Sequence, residues 1–392
     1  MIQSQAQSVR RPYHRSRKGM VLIYAMVAMT TFCAFASLAV DYGHVQVVDF
    51  ELQRAADAAA LAGAQSLPSG TAGAIGAATT VASENLVDNN PINPSKVTVQ
   101  LINWTSATNY TVVSTASAAN AVRVSISNGV PLLYASLLGF PSHLATRSTI
   151  AERVVQSATQ FVSTHSNPWL AGEPLGTQAS DPDPGWKGQN VSKEHPWQFD
   201  LAGPASETNS EGESYESPVQ VGISIVPGAT ITVTSVSGMG NNDFTQSAQY
   251  DATGNANGYE ANYDDEASNG VAEHGISDTT MPLNALNAVF LNNSAPDSNI
   301  PPSTLNFSSQ SERDYASGTN NGQVANSGQF DPKVQQVFYV GNGKTSAGTQ
   351  QTVVVPPGAT RLFLGTMDGH EWSNNEGGFT ATINQTYVEI VN

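Results

Sequence analysis

Asp368, Glu371, Asn374, Asn375 and Glu376 fall within nine residues near the carboxyl end, interleaved with Gly369, Gly377 and Gly378. Carboxylates and amides at this density offer the oxygens of a hard-cation site, since calcium takes about 6–8 oxygen ligands from such groups and from backbone carbonyls. Polar hairpin loops use the same residues, because Asp and Asn side chains close local turns. Spacing alone leaves both readings open. The elements that must position this loop are legible on either side. Arg361 to Thr366 reads as a strand entering it and Phe379 to Val391 as a strand leaving it, with glycines for the bends.

Other chemistries find little support. There is no G-x-S-x-G, no HExxH and no phosphate loop; Gly341-Asn342-Gly343-Lys344 lacks the spacing. Glu194-His195 and Glu273-His274 are isolated pairs, and Asp264-Asp265-Glu266 reads as a solvated run. The expectation is a protein that is not an enzyme. From Ala151 onward acidic residues outnumber basic ones by 26 to 7, within a net charge of −16. That balance argues against nucleic acid, which needs a basic footprint. It suits an exported or calcium-bearing domain, or solubility alone. Cys33 is the single cysteine, so no intrachain disulfide can form.

Met20 to Val40 is apolar, uncharged and free of proline, and about 20 such residues cross a bilayer core as a helix. Arg10, Arg11, Arg15, Arg17 and Lys18 precede it, and Asp41 follows. The positive-inside bias places the N-terminus in the cytoplasm and the bulk of the chain outside the inner membrane, as a single-pass protein. A cleaved secretory signal has a shorter apolar core, of about 7–15 residues, so a retained anchor is expected. Prepilin-type processing at Lys18-Gly19 is a further alternative, weakened by Tyr24, which stands where such pilins carry glutamate.

Beyond the span, Leu52, Ala55, Ala56, Ala59, Ala60 and Gly63 recur at helical spacing, a small-residue stripe that lets another element approach closely. Asp57 among them reads as a solvent-facing or capping charge. A second helix is expected over Ala72 to Leu86. Strands follow at Lys96 to Trp104, Tyr110 to Ser114, Ala121 to Ser127 and Leu144 to Val155, with a short buried helix over Pro131 to Leu138. After His165-Ser166-Asn167-Pro168 the texture turns to short strands between Gly-, Asn- and Pro-rich loops, as in an antiparallel sandwich. The expected segments are a basic stub (1–19), a transmembrane helix (20–40), a helix plus small sheet (41–160), a linker and domain entry (161–217) and a β-sandwich (218–392).

Two resemblances add to this. Lys18-Gly19, Ala39-Val40-Asp41-Tyr42-Gly43 and the run Ala55-Ala56-Asp57-Ala58-Ala59-Ala60-Leu61-Ala62-Gly63-Ala64, with Asn120 to Val124 and Pro131-Leu132-Leu133, resemble Tad-type pilus-assembly (TadE/TadG-like) proteins. That implies an α+β, pilin-like N-terminal module and pilus-assembly proteins as partners, without catalysis. The stretch Pro356-Pro357-Gly358-Ala359-Thr360-Arg361 through Asp368, Asn374-Asn375 and Phe379, with Pro227-Gly228-Ala229-Thr230 upstream, resembles bacterial calcium-dependent galactose-binding lectins. That resemblance implies a jelly-roll or galactose-binding-like sandwich. Calcium would be held by Asp368, Asn374 and Asn375, the Glu371 carbonyl, and a ligand near Asn241. His274, Asp368, Trp372 and Asn374 would meet a galactose-like glycan, with Trp372 or Tyr259 as a ring platform. The two implications combine in a membrane-anchored, outward-facing galactoside-binding adhesion protein. The alternative is a structural part of a Tad-type pilus or envelope assembly whose sandwich binds protein.

Overall fold

The structure is a computed structural model that describes residues 18–177, 202–204, 215–241, 249–254, 262–264, 273–315, 329–368, 372 and 375–391. The chain divides into two compact units, Met1–Glu152 with Glu389–Asn392, and Arg153–Val388.

In the first unit, helix α1 (Lys18–Gln65) runs 48 residues, about 72 Å at helical rise. No proline interrupts it. Its large apolar side chains between Met20 and Val40 are exposed; burial begins at Asp41 and continues through Val48, Leu52, Ala55, Ala56, Ala59, Ala60 and Ala64. One helix therefore serves two environments, the first half long and apolar enough to cross a membrane. A 3-10 turn at Leu67–Ser69, with Pro68 in its first turn, ends the helix. Helix α2 (Gly70–Glu84) buries Ala74, Ala78 and Ala82, one per turn. Then come the short pair β1 (Leu86–Val87) and β2 (Asn90–Pro91) and strands β3 (Val97–Ser106), β4 (Asn109–Val112), β5 (Ala121–Pro131) and β6 (Ser142–Ser163). They pair antiparallel in the order β6-β5-β3-β4. The stripe works as its residue sizes dictate: a Cβ on Gly63 would lie 3.0 Å from Val122 Cγ1 and 3.1 Å from Ala78 Cβ.

One residue and one segment differ from expectation here. Asp57 is not a free surface charge; its Oδ1 accepts hydrogen bonds from Gln53 Nε2 and from Thr149 Oγ1, at 2.7 and 2.6 Å, and so ties α1 to β6. Pro131–Leu138 is not a buried helix. It holds a 3-10 turn, Ala135–Leu138, closed by Gly139 at φ +91°, and its apolar side chains Leu133 and Leu137 are exposed. Pro131 and Gly139 leave room for one tight turn only, too short to lay an apolar face on a core.

The second unit is β-rich. Its strands are β7 (Val219–Gln220), β8 (Thr230–Asn241), β9 (Asn262–Asp264), β10 (Thr279–Pro282), β11 (Leu286–Leu291), β12 (Leu305–Asn306), β13 (Val337–Tyr339), β14 (Val353–Val354), β15 (Arg361–Thr366) and β16 (Glu376–Val391), with a one-turn helix α3 (Gln310–Arg313). One sheet places β14, β8, β16 and the second half of β6 side by side; another runs β13-β11-β15-β7; a third runs β12-β10-β9. Ile231, Val233, Phe379, Ala381 and Ile383 of the first sheet share one buried cluster with Leu286, Ala288, Phe290, Leu362 and Leu364 of the second. This is a helix-plus-sandwich arrangement. The segment 161–217, expected as linker and domain entry, instead sends Trp169, Leu170 and Ala171 fully into the interior.

Candidate functional site

The oxygen-rich loop leaves β15 at Thr366 and re-enters the sheet at Glu376. Both of its ends are held by one corner of chain. The Thr164 carbonyl accepts from Thr366 Oγ1 and from Asn375 Nδ2, each at 2.8 Å. The Thr366 amide donates to the Ser166 carbonyl, and His165 Nε2 donates to the Asn375 carbonyl. Asn375 thus spends its amide nitrogen on Thr164, while its Oδ1 is buried with no hydrogen-bond partner among the described residues. Across the strands, Asn241 pairs with Glu376 at the end of β8. Asp368, Asn375 and Asn241 are all buried, at 5%, 3% and 2% exposure.

These three are the described members of the calcium set that the lectin resemblance nominates; Glu371 and Asn374 lie outside the described residues, as does Tyr259. A buried amide oxygen lacking a donor, near a buried carboxylate in sequence, suits a cation. Trp372 is corrected outright as a sugar platform. Its indole is buried at 2% exposure, donates to the Thr366 carbonyl at 3.0 Å and meets Trp169 edge to face at 5.7 Å. An indole enclosed in this way has no face for a sugar ring.

His274 keeps different company. It sits in the left-handed region at φ +46°, with Nε2 3.4 Å from Glu273 Oε1 and Nδ1 3.4 Å from Asp297 Oδ1. Glu173, His274 and Asp297 bring ligand atoms within 4.8 Å of one another, a cluster that could chelate a divalent ion. Burial pushes the Glu173 carboxyl up; the charge of Asp297 adds to this and His274 opposes it. Glu173 also lines a cleft of about 810 Å³, with Phe161, Leu175, Val219, Arg361 and Phe363 on its walls. Sequence reading found His274 but missed Glu173 and Asp297. Their separation along the chain hides the cluster, and Glu173 sits in a Gly-Glu-Pro turn without any ligand spacing.

Comparison with known families bears on the N-terminal part of the chain. The TadE/G-like Flp pilus-assembly model matches residues 19–66, and the Tad-like Flp pilus-assembly model, Tad_C, matches residues 62–151. Residues 19–151 are similar to Flp pilus-assembly proteins. The two matches adjoin within α1 and end inside β6, so they take in the membrane helix, the alanine stripe and the small sheet. These are structural, non-catalytic families, and the similarity over residues 19–151 points to a structural part rather than an enzyme. No curated protein and no solved structure matches the chain. The lectin resemblance therefore has no comparison behind it.

Proposed function

We propose that this protein is a membrane-tethered structural component of a Tad-type pilus or envelope assembly, and that its β-rich unit binds protein. The observation that carries this is the pair of adjoining family matches over 19–151. The anchor holds the N-terminus inside and the remainder outside, as the basic residues before the span favour. Capture of the full chain from detergent-solubilised membranes of the producing cell should retrieve pilus-assembly components after crosslinking. Retrieval of the bait alone would overturn the reading.

A second reading keeps the hairpin as a calcium site that recruits a galactose-like glycan. It is favoured by the Oδ1 of Asn375, buried and without a hydrogen-bond partner among the described residues. In it Asp368, Asn374 and Asn375 supply side-chain oxygens, the Glu371 carbonyl and a ligand near Asn241 complete the set, and the ion orders the loop before any sugar hydroxyl reaches it. Calorimetric titration of the full chain in nanodiscs with calcium, then galactose, tests it. Heat of calcium binding that vanishes in Asp368→Ala supports it; no heat in the intact chain ends it.

A further inference from the structure

The tip between β5 and β6 joins a buried acid to an exposed apolar knob. Asp41 is the first residue after the apolar span. Its carboxylate accepts from the Leu133 amide at 2.9 Å, the Tyr134 amide at 3.0 Å and the Ala135 amide at 2.6 Å. The tip is thereby fixed to the point where α1 leaves the membrane. Its base is closed by Leu132 N–H to the Pro141 carbonyl and by the ladder pairs Pro131↔Ser142 and Val130↔His143. Gly139 turns the chain back, and Phe140 N–H bonds the Ala135 carbonyl. From this closed turn Leu133, Leu137, Phe140 and Leu144 project with 68, 83, 66 and 69% exposure.

The residues from Val124 to Thr146 include no Asp, Glu, Lys or Arg. Large apolar side chains gathered on one exposed tip of an otherwise acidic chain mark a contact surface. The contact available at this height is the bilayer itself, because the knob continues the apolar surface of the span across Asp41. We propose that the β5–β6 tip dips into the membrane interface, with Leu137 and Phe140 among the acyl chains and Tyr134 at headgroup level. Helix and tip then grip the bilayer at two points and fix the tilt of the first unit on it. The inference rests on the reading of Met20–Val40 as a membrane span.

The native cysteine separates the two claims. Full-length chain is reconstituted in phosphatidylcholine–phosphatidylglycerol vesicles carrying quencher lipids at shallow or deep positions. A fluorophore on Cys33 reports the span. In a Cys33→Ser background, the same fluorophore on Leu137→Cys or Phe140→Cys reports the tip. A control on Thr108→Cys lies in the β3–β4 turn, which the strand register puts at the opposite end of the sheet. The tip labels should shift to the blue and lose emission to the shallow quencher, while the control emits as in water. Loss of quenching at Cys33 would overturn the span. Quenching at Cys33 with water-like tip labels would overturn the tip insertion alone. Tip labels that are blue-shifted, unquenched by lipid, and show energy transfer between copies that survives dilution would assign the tip to a second protein chain and equally overturn the proposal.

Discussion

At the scale of single residues, the chemistry of this chain is carried by buried oxygens that hold backbone in place. Asp41 is the clearest case. Burial opposes its charge, the amides of Ala135, Leu133 and Tyr134 favour it, and the amides prevail, so its pKa lies below the ordinary value. A carboxyl depressed by folding contributes stability above its unfolded pKa, and that contribution disappears as pH falls through the lower folded value. The tip should accordingly hold its amides at neutral pH and release them only below about pH 4. Asp41→Ala removes the acceptor altogether. Hydrogen exchange of the 133–135 amides should accelerate roughly tenfold or more, as loss of charge-assisted bonds implies. Asp41→Asn retains one acceptor oxygen and should fall between. Unchanged protection in Asp41→Ala would show that the 3-10 turn holds itself. The sequence displayed this aspartate at the membrane boundary but not its partners, which lie 92 to 94 positions away. Asp57 was misread for the same reason, since Thr149 stands 92 positions from it.

At the scale of elements, local periodicity was a reliable guide wherever one face is buried by repeated small or apolar residues. The alanine stripe of α1, α2 and the alternating strands β3 and β5 were all visible because their period matches their secondary structure. The packing they permit is tight enough to test. Gly63 meets Val122, Ala78 and the Ala74 carbonyl at 3.0 to 3.4 Å from where a Cβ would stand. Gly63→Leu must push α1 off both α2 and β5, and overpacking of this kind costs about 1–3 kcal/mol. Thermal unfolding of the full chain in detergent should shift down, with α2 the first segment opened to protease. An unshifted melt would mean that the helices are not close-packed in solution. Elements that lack a repeating face were read less well. The Pro131–Leu138 segment looked like core because it is apolar, and nothing local reveals that Asp41 holds it outside the fold. The turn at Thr164–Leu170 looked like a boundary because Asn and Pro occur there, yet Asn167 accepts from the Trp169 amide at 2.9 Å and Trp169 donates to the Ser277 carbonyl at 3.2 Å. Its polar residues serve an internal turn rather than a linker.

At the scale of the whole molecule, the division between a helical anchor module and a β-rich unit was readable from composition, while the identity of the β-rich unit was not. A hairpin of about 20 residues can be shared by many sandwiches, and fold alone does not give function. The Glu173–His274–Asp297 cluster escaped notice because three ligands drawn from distant turns leave no motif. The proposed orientation, by contrast, is argued from composition. Arg10, Arg11, Arg15, Arg17 and Lys18 all precede the span, and basic residues within about 15–20 positions of a membrane helix set its direction. The acidic remainder contributes little to that choice, because Asp and Glu weigh weakly in it. Protease added to spheroplasts should therefore digest the chain beyond Asp41 while an epitope placed before Arg10 stays intact. Replacing the five basic residues by glutamine removes the asymmetry without changing the length or apolarity of the span. The protein should remain in the membrane pellet after carbonate washing, yet part of the population should expose the N-terminal epitope. Uniform orientation in that variant would mean that the folding of the exported units, rather than the charge before the span, decides which side they occupy.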